Sequence, residues 1–224
     1  MRVIAGQLGG RTLTAPHGMD TRPTTDRVRE ALFSILGDVR GARVLDLYAG
    51  TGALGIEAIS RGAATAIFVE NDRSALRALR KNVDAFLLIA LTHTLPERVA
   101  RAAPRLLAPI ARSTVAPFGP PFDLVFADPP YADVDNALAA LELLAPALAP
   151  GARIVLEHAT RQPPRPTSTF LTERSRTYGD TTLAFFTLAP APSATADHND
   201  AEPAPGASAP PAVQPDDGHE HGTR

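Results

Sequence analysis

The feature that most constrains the fold is the stretch Val44-Leu45-Asp46-Leu47-Tyr48-Ala49-Gly50-Thr51-Gly52-Ala53-Leu54-Gly55, an apolar strand that enters a glycine-rich turn and then a helix. Gly50 and Gly52 permit positive φ and close backbone approach to a ligand, and the helix offers free N–H groups at its start. The alternation continues along the chain. Residues 44–48 read as a buried strand, 52–61 as a helix, 66–70 as a second strand and 73–86 as a second helix; 122–128, 136–145 and 152–157 add strand, helix and strand. Such alternation implies a largely parallel sheet with helices on both faces, an α/β fold. A closing β-hairpin spans 170–176 and 181–188 around Tyr178-Gly179-Asp180, whereas 87–120 should hold one more strand and offers no clear candidate for it.

The two ends read differently from this middle. Residues 1–14 suggest a short β-hairpin with Gly9-Gly10 at its turn, too small to stand without packing on the main domain. In 21–37, Thr24 or Thr25 is a plausible N-cap, Val28, Ala31, Leu32, Ile35 and Leu36 recur at helical spacing, and Gly37 ends the run. Arg22, Arg27 and Arg29 fall on its polar side or entrance. From Ala191 the chain is Ala, Pro, Asp, Gly and His with Val213 its only branched aliphatic, a composition that cannot offset chain entropy and predicts a disordered acidic tail. The domains are therefore drawn at 1–40, 41–190 and 191–224.

Charge follows the same division: the formal net charge of −2 separates into +3 for residues 1–190 and −5 for 191–224. With no cysteine, no apolar run near the roughly 18 residues that span a bilayer and no secretory-type start, the chain is expected to be cytoplasmic, with no membrane partner. His198, His219 and His221 lie in the tail without supporting ligands, and no metal is expected.

Two further signals bear on chemistry. Glu70 ends the strand after the glycine turn, where a carboxylate can accept both hydroxyls of a ribose; on Gly50, Gly52, Gly55 and Glu70 alone a nicotinamide dinucleotide fits equally well. Asp128-Pro129-Pro130-Tyr131 follows the apolar strand ending at Ala127. Neither proline carries an N–H, so the chain must leave the sheet at its carboxyl edge, where open α/β sheets bind ligands. An exocyclic base amine is a poor nucleophile because its lone pair is conjugated. The Asp128 carboxylate and the Pro129 carbonyl can orient it by accepting its two N–H groups, while Tyr131 offers a stacking face worth roughly 1 to 3 kcal/mol.

At these residues the chain resembles the bacterial 16S ribosomal RNA guanine-N2 methyltransferases, members of the class I S-adenosylmethionine-dependent superfamily. The resemblance covers about residues 1–188 and rests on Arg2-Val3-Ile4-Ala5-Gly6 with Gly10-Arg11, on the Arg22 to Phe33 segment, on Leu45 to Gly55, on Phe68-Val69-Glu70, on Asp128-Pro129-Pro130-Tyr131 and on Tyr178-Gly179-Asp180-Thr181. It implies a Rossmann-like seven-stranded sheet with an N-terminal hairpin-and-helix extension, and S-adenosylmethionine held by Asp46, Tyr48, Gly50, Thr51, Gly52, Glu70 and Asn71. It further implies catalysis at Asp128, Pro129, Pro130 and Tyr131, with 16S ribosomal RNA or the assembling small subunit as partner; separately, the chain is expected to be a monomer. Arg2, Arg11, Arg22, Arg27 and Arg29 are the expected phosphate contacts. Relatives usually carry an acidic residue at the end of the next strand to meet the adenine; here that region reads Leu95-Pro96-Glu97, with no Gly-Asp or Asp-Ala pair. The alternatives are a DNA adenine-N6 methyltransferase, which would want a larger insertion to read sequence, a glutamine methyltransferase, which usually has asparagine at position 128, and a cofactor-binding module without catalysis that serves ribosome assembly.

Overall fold

Burial on both sides of the central strands organises the molecule, which a computed structural model describes over residues 1–15, 26–110 and 118–190. Seven strands form one sheet: β1 (Arg43–Leu47), β2 (Thr65–Val69), β3 (Thr92–Leu95), β4 (Phe122–Ala127), β5 (Leu148–Ala159), β6 (Phe170–Tyr178) and β7 (Thr181–Leu188). Their order is β3-β2-β1-β4-β5-β7-β6. All neighbours from β3 to β5 pair in parallel, while β7 runs antiparallel to both β5 and β6. The order reverses between β1 and β4, which opens a crevice at their carboxyl ends.

Successive residues of each central strand feed opposite faces. Leu45, Leu47, Val125, Ala127, Ile154 and Leu156 enter one core, under helix α5 (Val134–Leu144) and the short α4 (Val99–Ala102). Val44, Phe68, Leu124, Phe126 and Val155 enter the other, under α1 (Asp26–Leu36), α2 (Ala53–Ser60) and α3 (Arg73–Ala85). This two-sided burial explains why the strands read as unbroken apolar runs. Phe33 of α1 meets Phe126 edge to face at 5.7 Å, which anchors the N-terminal extension to the sheet; burying such a ring contributes about 3 kcal/mol.

The hairpin expected at residues 1–14 is present as a tight loop with one antiparallel bridge, Arg2 to Thr12, rather than as two full strands. Backbone bonds close it, from Val3 N–H to Arg11 O, Gly10 N–H to Val3 O and Leu13 N–H to Met1 O, and side chains of the main domain hold it in place. The Glu57 carboxylate accepts from the Ile4 and Ala5 N–H groups, and Ser60 Oγ accepts from Leu8 N–H. The missing strand is β3, paired in parallel with β2. Arg22, the cap at Thr24 or Thr25 and the tail 191–224 lie outside the described residues.

Candidate active site

Strand register sets the site. Leu95, Val69, Leu47, Ala127 and Leu156 are neighbours across β3, β2, β1, β4 and β5. The next residue on each of the four inner strands is therefore Glu70, Tyr48, Asp128 and Glu157, one polar row along the carboxyl edge. The ladder extends into this row, with Glu70 N–H donating to Leu95 O at 3.2 Å and Asp128 N–H to Leu47 O at 3.4 Å.

The glycine turn lies over this row. Gly50 has φ +56 and open space where a Cβ would point, so it leaves room for a ligand at no steric cost. Gly52 has φ +79 and no such room, because a Cβ there would strike Leu79 of α3. Asp46 is almost fully buried beneath the turn, where its Oδ2 accepts from Gly55 N–H at 2.9 Å and fastens the first turn of α2. Its contribution to a ligand is thus through the loop that it supports. Glu70 accepts three backbone N–H groups, from Gly50 at 2.8 Å and from Asn71 and Asp72 at 2.7 Å each. A carboxylate offers about four acceptor sites, so one remains for a ribose hydroxyl unless the Gly50 bond yields. Asp72 caps α3 by accepting from Ser74 and Ala75 N–H at 2.8 Å.

A cleft of about 660 Å3 opens beside this loop, walled by Tyr48, Asn71 and Pro130 together with Arg98, Val99 and Asp133. Tyr48 holds the left-handed conformation at φ 59 and donates its hydroxyl to Asp133 Oδ2 at 3.2 Å. Burial and the Asp133 carboxylate beside it keep that phenol protonated, with its pKa raised. Pro129 and Pro130 carry the chain out of the sheet into a 3-10 turn at Tyr131–Asp133. Tyr131 remains 39% exposed and meets Thr181 Oγ1 at 3.0 Å, which ties the reactive loop to the start of β7.

Electrostatically the site is an acidic nest. Burial pushes the Asp46 carboxyl up to about 8, against the Gly55 N–H bond and with the help of the Glu70 charge. Asp128 keeps part of its surface accessible, yet enough protein encloses it that desolvation raises its pKa well above the ordinary range, and the Glu157 and Asp46 charges raise it further. Such a nest suits a cationic ligand. The donor set, the open Gly50 and the adjoining cleft fit a nucleoside that carries a positive sulfonium and an ammonium group.

The sequence-predicted residues divide accordingly. Asp46, Tyr48, Gly50, Thr51, Gly52, Glu70 and Asn71 gather at one end of the crevice, and Asp128, Pro129, Pro130 and Tyr131 continue it. Glu157 was not foreseen; the signal was an acid at the end of an apolar strand, the same signal that singled out Glu70. Among the arginines, Arg2, Arg11 and Arg27 are exposed. Arg29 is a correction: it is fully buried, donates to Asp26 Oδ1 at 2.8 Å and to the Arg2 carbonyl, and serves the core instead of phosphate. Its position explains this, since it shares the inward face of α1 with Leu32, Phe33 and Leu36. Glu97 is also occupied, paired with Arg101 at 3.3 Å and with Arg105. Among the described residues no cluster of metal-ligating side chains occurs, and no helix is long and apolar enough to cross a membrane.

Comparison with known proteins places this geometry. The model of the family described as conserved hypothetical protein 95 matches residues 1–187. A Bacillus subtilis protein named as a candidate rRNA methyltransferase, YlbH, is 37% identical over 189 residues, which span 83% of this chain and 98% of that one. The ribosomal RNA small subunit methyltransferase D of Escherichia coli K12 is 42% identical over 132 residues, 58% of this chain and 60% of the relative. A solved Escherichia coli structure, described as a candidate methyltransferase, yhhF, superposes with a TM-score of 0.67 at 34% identity, covering 84% of this chain and 97% of that one.

Proposed function

This chain belongs to the family described as conserved hypothetical protein 95, and from that premise we propose that it transfers a methyl group from S-adenosylmethionine to the exocyclic N2 amine of a guanine in 16S ribosomal RNA. The fold and cofactor class are those of a Rossmann-like, S-adenosylmethionine-dependent methyltransferase. The observation that carries the finer reading is the juxtaposition of the Glu70 and Gly50 loop with Asp128-Pro129-Pro130-Tyr131 along a single row of the sheet. A nicotinamide-binding domain has no use for the second half of that row. Relatives named for small-subunit ribosomal RNA favour RNA as the substrate.

The cofactor supplies an electrophilic methyl group on a cationic sulfur. Glu70, Asn71 and the Gly50 to Gly52 backbone bind its nucleoside, and Asp46 holds that backbone from below. Asp128 accepts an N–H of the target amine and the Pro129 carbonyl accepts the other, which turns the amine nitrogen toward the methyl donor. Tyr131 presents its exposed ring to the base, steadied at its hydroxyl by Thr181. Catalysis is then positioning and electrostatics. In the extension at 1–40, Arg2, Arg11, Arg22 and Arg27 are the candidates for phosphate contact, residues 41–190 form the catalytic domain, and the monomer is the working unit in the cytoplasm.

The test is Asp128→Ala. Methyl transfer should fall at least about a hundredfold, while S-adenosylmethionine affinity, measured by calorimetry, stays within a few-fold. Near-normal transfer in that variant contradicts the mechanism.

A further inference from the structure

Asn82 is nearly buried in α3 and the chemistry above makes no use of it, yet its amide is fully committed. Oδ1 accepts from Thr14 N–H at 2.7 Å, and Nδ2 donates to the Thr14 carbonyl at 3.1 Å and to the Thr51 carbonyl at 3.0 Å. Thr51 sits between the two left-handed glycines of the turn, and Thr14 ends the N-terminal loop. The same helix end takes the rest of that loop: Arg11 donates to Ala85 O at 2.7 Å and lies 4.4 Å over the Phe86 ring.

The Thr51–Gly52 peptide is anchored on both sides, its N–H on Ala49 O and its carbonyl on Asn82, so loss of the carbonyl's partner leaves it held on one side only. Glu70 fixes the Gly50 N–H and Ala49 O takes the Gly52 N–H at 2.7 Å. The Thr51 carbonyl is fixed by Asn82. We infer that Asn82 is a positioning residue that sets the Thr51 peptide of the cofactor loop and couples it to the N-terminal loop, so that cofactor binding and docking of the N-terminal loop reinforce each other. Such coupling is reciprocal. The inference rests on the reading of the 50–52 turn as the S-adenosylmethionine site.

Calorimetric titration of Asn82→Ala and Asn82→Asp with S-adenosylmethionine tests it, with the fitted stoichiometry reporting the folded fraction. The aspartate keeps the acceptor for Thr14 and loses both donors. The dissociation constant should rise roughly five- to twentyfold in both variants at a stoichiometry near one, a loss in keeping with an orphaned, partly buried carbonyl. In methyl-transfer assays the KM for S-adenosylmethionine should rise likewise, with kcat at saturation within about twofold. A residue that only stabilises the fold would lower the stoichiometry and leave the constant alone. Hydrogen exchange on the unaltered protein gives a second reading that does not depend on either variant folding: S-adenosylmethionine should slow exchange of the Thr14 amide. Unchanged affinity at full stoichiometry, or Thr14 exchange indifferent to the cofactor, overturns the inference. An unaltered protein that binds no S-adenosylmethionine overturns the cofactor reading beneath it instead.

Discussion

At the residue scale, chemical type and placement have to be judged together. Arg29 and Arg27 are two positions apart on α1, and only the helical period separates their roles: Arg27 faces solvent while Arg29 enters the core between Asp26 and the Arg2 carbonyl. The sequence displays both as arginines near a helix entrance, and a strongly apolar helix face is not where a cation is ordinarily sought. Desolvation lowers the Arg29 pKa, with the Asp26 and Glu57 charges opposing that effect. Arg29→Ala should therefore cost stability, about 3 kcal/mol by urea unfolding, and leave the salt dependence of RNA binding unchanged. Arg27→Ala should do the reverse, reducing the slope of log affinity against log salt by about one. Exchanged outcomes would return Arg29 to the RNA surface.

Asp46 carries a prediction in pH. Its folded pKa, pushed up to about 8, exceeds the ordinary 3.8, so between those values the folded state holds a proton that the unfolded state has released. Stability from this source is complete below pH 4 and is lost as pH rises toward 8. Asp46→Asn keeps an acceptor for Gly55 N–H and removes the titration. Its melting temperature should fall less between pH 5 and pH 8 than that of the unaltered protein, by about 10 °C. Parallel profiles would mean that the carboxyl is solvated more than its burial implies.

At the element scale, legibility followed burial. β1, β2, β4 and β5 are apolar on both faces and were evident from the residues alone, as was the amphipathic α3. β3 was not. Its four residues, Thr92-His93-Thr94-Leu95, are only partly buried except Leu95, and it follows the exposed Leu87 and Ile89. A short edge strand of this kind is recruited by a partner's open ladder, here β2, and local pattern carries little of that information. The N-terminal hairpin reads from the sequence, but its attachment does not: besides its own backbone bonds it leans on α2, where Glu57 and Ser60 accept from the Ile4, Ala5 and Leu8 N–H groups. Glu97 follows β3 where relatives usually carry the acid that meets the adenine, but Arg101 and Arg105 engage it. Glu97→Gln should change S-adenosylmethionine affinity by less than about twofold, since its carboxylate is committed to Arg101 and Arg105. A tenfold loss by calorimetry would make it a cofactor contact after all.

At the scale of the whole molecule, a parallel sheet whose strand order reverses at β1 and β4 brings residues as distant in sequence as Tyr48, Glu70, Asp128 and Glu157 into one row. Tyr48 and Asp128 are legible because each sits beside a marker, the glycine turn or the double proline, and Glu70 because it ends the strand that follows the glycine turn. Glu157 also ends an apolar run, yet with neither a glycine turn before it nor a double proline after it, only register ties it to the row. The row also accounts for the acidic nest, since four strand ends place their side chains at ladder spacing of about 5 Å. Its chemistry is tested most directly by incubating the protein with radiolabelled S-adenosylmethionine and small ribosomal subunits, naked 16S RNA or duplex DNA, and digesting the products to nucleosides. Label in N2-methylguanosine from the ribosomal material is the predicted result. Label in N6-methyladenine from DNA, or none in any substrate despite cofactor binding, would contradict it.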